Sequence, residues 1–414
     1  MYITKRLLTL GLLLSAGSSY GQVTSLEKIL AEIEANNISL KSYDAKIKSQ
    51  DAKVEGAGAW MAPMIGAGTF MTPYPWKDVM DDGNKGSFMI SAEQDIPNPA
   101  KTKAKREYLK TQSETYMYLK NSRMNELRAT ARQLYFELLI AYRKNRYQQE
   151  NRQIMQTMKK LAEIRYPYNQ GSLSQIFKAD GRLYEADNML LMTESTIRAR
   201  KIALNSLMNR NPSEKLEIDT AFKVSFNPEA SLDTAYLAGN RSDLQHMQHD
   251  VHAMEANIRQ MRQEAKPDFR IRFDHMSSYS PMMPGQFTLM GMLSVPIAPW
   301  ASKMYKSEIK SMNFEIQAMQ QQKQNMQNEM LGMIKSMETE LGGMQKQLGN
   351  YENRILPALN KNMQTSLLSY QENKGDLNQV IDAWETVNMA QINYLDHLQK
   401  YYQMIVEYEK NIER

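Results

Sequence analysis

The chain has 414 residues, enough for two or three ordinary domains, and its 51 basic and 46 acidic residues nearly cancel to a net charge of +5. No basic block stands out, so no nucleic-acid partner is implied. Cysteine is absent, which excludes disulfides, thiol catalysis, cysteine metal sites and an N-terminal lipid on cysteine.

Residues 1–21 read as a signal peptide. Lys5 and Arg6 precede a mostly apolar run over residues 7–14 and then small residues, with cleavage expected after Gly21. That run is too short to span a bilayer, and no later segment approaches 18 consecutive apolar residues. If the exported chain crosses a membrane, a closed β-barrel is the form left to it.

From residue 22 onward one order of elements is written twice. Residues 22–211 open with a helix, "TSLEKILAEIEANNISLKSYDAKIKSQDAKV", followed by two strands at about 59–72 and 86–98. The first strand, "WMAPMIGAGTFM", alternates poorly. Residues 100–166 then contain neither proline nor glycine, a run of 67 residues, which is roughly 100 Å of helix at about 1.5 Å per residue. Met124, Leu127, Ala131, Leu134 and Leu138 step by three and four along it, the spacing of a coiled-coil seam. The rod stops at a polar break, "YPYNQGSLSQI" over residues 166–176, and another helix follows. A linker over 212–230 carries Pro212 and Pro228. Residues 231–414 then repeat the order with the helix "LQHMQHDVHAMEANIRQMRQEA", strands at about 267–279 and 286–298, a long helix, the break "YQENKGDLNQV" over 370–380, and a last helix.

The repetition has a register. An offset of 204 residues joins Tyr370 to Tyr166, Asn373 to Asn169, Gly375 to Gly171, Leu377 to Leu173 and Gln379 to Gln175. The same offset joins Pro267 to Pro63 and Leu244 to Leu40, and an offset of 200 joins Pro299 to Pro99. A nearly constant offset along most of the chain marks a duplicated unit of about 200 residues. The break recurs because an outgoing helix turns into a returning one in each unit.

The strands carry the membrane reading. Phe269, Ile271 and Phe273 fall on one face of "DFRIRFDH", with Arg270, Arg272 and Asp274 on the other. "FTLMGMLSVPI" sets Phe287, Leu289, Leu293, Val295 and Ile297 against Thr288, Met290 and Ser294, and "SFMISAEQDI" sets Phe88, Ile90 and Ala92 against Ser91, Glu93 and Asp95. Such alternation over about 10 residues suits lipid outside and water inside. Trp60, Trp76 and Trp300 flank the strands, where an aromatic girdle lies. Four strands cannot close a transmembrane barrel, since the smallest have about eight. Three copies would supply twelve, so a homotrimer embedded in outer-membrane lipid is expected, with Asp78, Asp81 and Asp82 in an outer loop. The expected fold class is mainly α with a small β-barrel contribution, its long helices continuing as a periplasmic tube.

Taken together, the signal peptide, the duplicated helix-strand-strand-helix-helix unit, the proline-terminated strands and the "YxxNxGxLxQ…A" breaks resemble the TolC family of outer-membrane efflux proteins over essentially the whole mature chain. The resemblance implies a passive exit duct in the outer membrane of a Gram-negative bacterium, docked to a periplasmic adaptor and an inner-membrane pump. It implies that the hairpin tips bearing Tyr166, Asn169, Gly171, Leu173, Asn373, Gly375 and Leu377 meet the adaptor. Asp382 matches a family position whose acidic ring narrows the periplasmic entrance, and Gln379 and Tyr370 lie beside it in sequence. Asn373 stands where the family usually has glycine, and asparagine also tolerates a left-handed backbone.

Methionine is abundant, 32 residues against 10 Phe. Met312, Met319, Met326 and Met333 lie seven apart. Thioethers suit Cu(I) and Ag(I), which are the cargo of the family's copper- and silver-exporting CusC-like branch; heptad methionine is also ordinary core filler. "HMQHDVHAM" is a second metal candidate, with His246, Met247, His249 and His252, although steps of three drift around a helix. No cofactor is expected. With no Gly-rich phosphate loop, HExxH or nucleophile elbow, no enzyme is expected. A periplasmic coiled-coil scaffold or a metal-binding protein without a channel is the alternative, and neither has a use for alternating strands flanked by tryptophan.

Overall fold

The structure is a computed structural model that describes residues 23–413 apart from 75–78, 223, 225, 230, 231, 297 and 298. The expected signal peptide, Trp76, Asp78 and Ile297 lie outside the described residues.

Two short helices come first. Helix α1, Leu26–Asn36, is capped by Ser25, whose hydroxyl accepts from the Lys28 amide. It buries Leu26, Ile29 and Ile33, one stripe at steps of three and four. Helix α2 runs Ile38–Gly56. The sequence reads as one helix here, and the structure breaks it at Asn37. That residue leaves helical geometry (ψ 124°) and its amide donates to the Leu207 carbonyl at 3.0 Å. An asparagine side chain that finds a backbone partner elsewhere competes with the helix.

Strands β1 (Met64–Phe70) and β2 (Ser87–Ile96) lead into α3, Pro99–Arg165, 67 residues of uninterrupted helix. Proline at its first position costs nothing there, because that N–H has no helical partner. A turn at Tyr166–Tyr168 reverses the chain into α4, Leu173–Leu207. The second repeat opens with the same pair, α5 (Thr234–Asn240) and α6 (Ser242–Arg262), before β3 (Asp268–Ser278) and β4 (Gln286–Ser294). Helix α7, Pro299–Asn350, passes through a π-helical turn at Tyr351–Ile355 into α8, Leu356–Gln371. Helix α9, Leu377–Ile412, follows.

Two compact units form, and each takes segments from both repeats. Among the described residues, one comprises 23–37, 127–227 and 339–407; the other comprises 38–126, 228–338 and 408–413. In the first, Phe136 packs between Phe222 at 6.0 Å and Tyr402 at 5.2 Å between ring centres. Thr24 pairs with Ile218 in a single parallel bridge, and Leu127, Ala131 and Leu138 of the expected seam are buried. In the second, the four strands make one antiparallel sheet in the order β1-β2-β3-β4. Contacts at one corner tie the start of α3 to the start of β3: Asn98 donates to the Pro267 carbonyl at 2.7 Å, and Lys101 pairs with Asp268 at 2.8 Å and Glu264 at 3.4 Å.

Candidate functional sites: a two-faced sheet and two matched turns

Register fixes which side chains share a face of the sheet. On one face the row Ile65, Ala92, Phe273, Leu289 crosses all four strands, and Ile96, Phe269, Leu293 crosses three. On the other face run Gly66, Ser91, Asp274, Thr288 and, next to it, Met64, Glu93, Arg272, Met290. The apolar face is uncovered: Ile65 is 78% exposed, Phe287 70%, and Leu289 67%. Trp60 and Trp300, on either side of the strands in sequence, are exposed as well.

The polar face is a charge network. Arg270 reaches Glu93 and Asp95, each at 2.6 Å, and Arg272 holds Asp274 at 2.9 Å. Asp274 is buried among these neighbours. A sheet that pairs its charges on one side and leaves aromatic and aliphatic rows bare on the other is inverted relative to a soluble sheet. Strands β1 and β4 have no neighbour on their outer edges among the described residues.

The two helix breaks fold as the same turn. Asn169 and Asn373 are both left-handed, each with φ 60°. In the first turn the Asn169 amide donates to the Tyr166 carbonyl at 3.1 Å and the Gln170 amide to Arg165 at 3.3 Å. In the second, Asn373 donates to Tyr370 at 3.1 Å and Lys374 to Ser369 at 2.8 Å. This is the Schellman closure, which satisfies the last carbonyls of a helix and needs a residue that tolerates positive φ. Gly375 has a steric reason, since a Cβ there would lie 3.2 Å from Ser369 Cβ. Ser172 then begins α4 in a capping box with Gln175, and Leu173 and Leu377 open the returning helices.

Polar contacts bind the turns to each other. Arg165 donates to the carbonyls of Tyr370 at 2.6 Å and Gln371 at 2.9 Å, while its guanidinium lies 4.2 Å from the centre of the Tyr370 ring. Gln175 donates to Asp376 at 2.5 Å, Lys178 pairs with Asp382 at 3.2 Å, and Arg182 pairs with Glu385 at 2.6 Å. Beneath them a shared core holds Met155, Met158, Ala162, Ala179, Leu377, Val380, Ile381 and Trp384. Tyr370 belongs to that core, and burial pushes its hydroxyl above the ordinary tyrosine range despite the nearby Arg165. Asp382 and Gln379 lie exposed on α9. The structure therefore sets Tyr370 under Arg165 and Asp382 against Lys178. Arg165 carried no signal in the sequence beyond its place before the break. Tyr166, Tyr168, Leu173 and Phe177 stand exposed around the first turn.

In the histidine stretch the rings of His249 and His252 meet edge to face at 5.7 Å, and each histidine has a different polar neighbour. His246 faces Asp250 at 3.2 Å, His249 lies 4.0 Å from Glu114 with its ring 4.4 Å from Tyr118, and His252 contacts Gln248 at 3.0 Å. Met247 is half-buried on the same helix. Among the described residues no group of three or more His, Asp or Glu could hold a metal ion. Of the heptad methionines, Met312 is buried and Met333 is exposed. No helix among the described residues is long and apolar enough to cross a membrane.

The family model of the outer membrane efflux proteins matches residues 29–210. No curated protein matches the sequence. Several solved structures share the fold. The channel-forming protein CusC aligns with a TM-score of 0.74 at 15% identity, covering 94% of this chain and 91% of its own. The outer membrane protein VceC of Vibrio cholerae aligns at 0.72 and 13% identity, with 94% and 95% covered. The CmeC outer membrane channel of Campylobacter jejuni aligns at 0.72 and 13% identity, with 94% and 85% covered. Residues 29–210, somewhat under half of the chain, thus match the outer membrane efflux protein family by sequence, and nearly the whole chain shares the fold of these solved structures.

Proposed function

We propose that the chain is the outer-membrane channel of a tripartite efflux system, a passive duct that works as a homotrimer with a periplasmic adaptor and an inner-membrane pump. The observation that carries this reading is the bare apolar face of the sheet, opposite a paired charge network and between two open edges. Water penalises that face and lipid does not. Lipid in turn penalises open edges, since an unpaired backbone group costs several kcal/mol there, so the edges must close on further copies. Twelve strands from three chains would enclose a lumen walled by Arg270, Arg272, Glu93 and Asp274, suited to polar or charged cargo. A scaffold without a channel has no use for such a sheet.

The matched turns are the proposed entrance. There Tyr166, Asn169, Gly171 and Leu173 of one tip, and Asn373, Gly375 and Leu377 of the other, would meet the adaptor. Asp382, paired with Lys178 and one turn from Gln379, would set the charge of the opening. The test is membrane fractionation followed by cross-linking. The protein should resist carbonate extraction and cross-link to trimers and no further. Release by carbonate, or a ladder that stops at dimers, would refute the channel. Single-channel recording of Asp382→Ala should show altered conductance at normal trimer yield, and unchanged conductance would remove Asp382 from the entrance.

A further inference from the structure

The offset of 200 that joins Pro299 to Pro99 also joins three pairs of cations. Lys103, Arg106 and Lys110 of α3 stand four, seven and eleven residues after the proline, and Lys303, Lys306 and Lys310 of α7 hold the same three places. Along the sequence they are separated by other residues. Wound into a helix, steps of four, three and four gather them on one face. The two helices that follow β2 and β4 therefore begin with the same basic stripe.

The charge is concentrated there. Residues 99–110 carry five basic side chains and one acidic, a net +4, and residues 299–310 carry three and one, a net +2. Since the whole chain sums to +5, everything outside these two segments sums to −1. The next twelve residues of each helix are not basic: 111–122 balance at zero, and 311–322 hold only Glu315. All six stripe residues are exposed, and among the described residues none of them pairs with a carboxylate. Lys101, on another side of α3, does pair, with Asp268 and Glu264. Neither helix has an acid in its first turn, where one would suit the helix dipole, so no local partner offsets the cations.

On the function proposed above, hydrocarbon lies beside the bare face of the sheet, and the first turns of α3 and α7 enter the headgroup layer. That layer is about 5–8 Å deep on each side of a bilayer. At about 1.5 Å per residue, Lys103, Arg106 and Lys110 stand about 6, 10 and 16 Å along the helix from Pro99. The Cα–Cβ bonds of a helix tilt toward its N-terminus, here toward the sheet, and the long aliphatic stems carry the charges further the same way. Trp300, 80% exposed at the second position of α7, is the residue type that collects at this boundary. Arg106 lies against the chain just ahead of β1, where a Cβ at Gly58 would meet its guanidinium at 2.9 Å.

We infer that the two stripes form a basic collar that binds the phosphate groups of anionic phospholipids in the periplasmic leaflet of the outer membrane. The collar rests on the channel function proposed above. Ammonium and guanidinium groups hold phosphate through charge-assisted hydrogen bonds. Each basic residue near an anionic surface strengthens association about fivefold. Six such residues per chain, on helices that leave neighbouring parts of one sheet, would set the depth of the barrel and gather anionic lipid at its base.

Quenching of tryptophan fluorescence by brominated lipid tests the collar in the assembled full-length protein. Trimers are reconstituted in mixed phosphatidylcholine–phosphatidylglycerol vesicles in which one lipid or the other carries the bromine. Brominated phosphatidylglycerol should quench severalfold more at equal mole fraction. The excess should fade in about 0.5 M salt, where the Debye length falls to about 4 Å. The triple variant Lys103→Gln, Arg106→Gln, Lys110→Gln and the triple variant Lys303→Gln, Lys306→Gln, Lys310→Gln should each reduce the excess, and the two combined should abolish it with insertion retained. Lys346→Gln, Lys361→Gln, Lys400→Gln removes as much charge as either triple, from exposed positions in the other unit, and should keep the excess. Equal quenching by the two lipids in the wild type, an excess that survives the combined variant, or one that the control loses as well would overturn the collar. Displacement by millimolar inorganic phosphate at constant ionic strength would make the stripes a site for a free anion and overturn it too. A protein that inserts into neither lipid fails as a channel, whereas one that inserts without a headgroup preference refutes the collar alone.

Discussion

Neighbouring residues on β4 test which face of the sheet meets lipid. Leu289 stands on the apolar face opposite Phe273, and Thr288 stands on the polar face opposite Asp274. Strand β4 has nine residues centred on Met290, so Leu289 is one residue from the middle. At about 3.4 Å per residue and a tilt of roughly 40°, that is about 3 Å from mid-strand, deep inside an apolar band about 25 Å tall. An arginine facing lipid at the midplane costs about 2–4 kcal/mol, so Leu289→Arg should cost about 3 kcal/mol per chain. That shifts the folded to unfolded ratio roughly a hundredfold per chain, and a trimer bears it three times. Thr288→Arg, by contrast, places a cation beside the Asp274 carboxylate on the wet face and should be nearly neutral. Refolding yield into phosphatidylcholine vesicles against urea measures both, with carbonate-resistant trimer in cells as the check. Loss of assembly in Thr288→Arg but not in Leu289→Arg would mean that the faces are assigned backwards.

Arg165→Ala should loosen the hairpin pair by about 1.5 kcal/mol, the lower end for charge-assisted bonds because the freed carbonyls return to water. Hydrogen exchange over residues 368–374 reads it, and Arg165→Lys should not restore protection, since an ammonium cannot clasp two carbonyls while stacking on a ring. Asn373→Gly should leave the temperature of trimer dissociation within a degree or two, whereas Asn373→Val forces a β-branched residue to positive φ at about 1–2 kcal/mol; equal midpoints would deny the turn. Burial alone would raise the Glu217 carboxyl, but hydrogen bonds from Lys201 and Tyr142 outweigh it and hold it below its ordinary value. Its contribution to stability is therefore present above the unfolded pKa near 4.5 and lost as pH falls through the lower folded value. Glu217→Gln should flatten the acid limb of the dissociation temperature below about pH 4.5 and leave the neutral limb parallel.

What could be read from residues alone followed the strength of each local signal. Alternation in "DFRIRFDH" gives the faces of β3 because one period dominates, and a helix free of Pro and Gly leaves α3 no place to stop. Strand β1 was harder. Its glycines and methionines say little about direction, and it forms only from Met64, about five residues after the expected start near residue 59. The break at Asn37 depends on the Leu207 carbonyl 170 residues away, which no local window contains. The same holds at the tips: Asn169 and Asn373 announce their backbone, but the grip of Arg165 on Tyr370 exists only once the two hairpins meet. The π-turn was legible in retrospect from Pro357, since a proline inside a helical pattern must end, kink or widen it.

The open edges of the sheet also bear on how the protein reaches its place. On the function proposed above, a single chain in the periplasm would present, among its described residues, two unpaired ladders of N–H and C=O groups beside an uncovered apolar face, a recipe for mispairing with any extended strand nearby. Lipid offers no refuge to a lone copy, because its edges would enter the hydrocarbon unsatisfied. Neither solvent accepts the monomer's sheet, so strand closure, insertion and subunit assembly are bound into one step. Its rate should rise steeply with chain concentration, and periplasmic chaperones that shield strand edges would govern the supply of finished channels more than the intrinsic folding of the helices does.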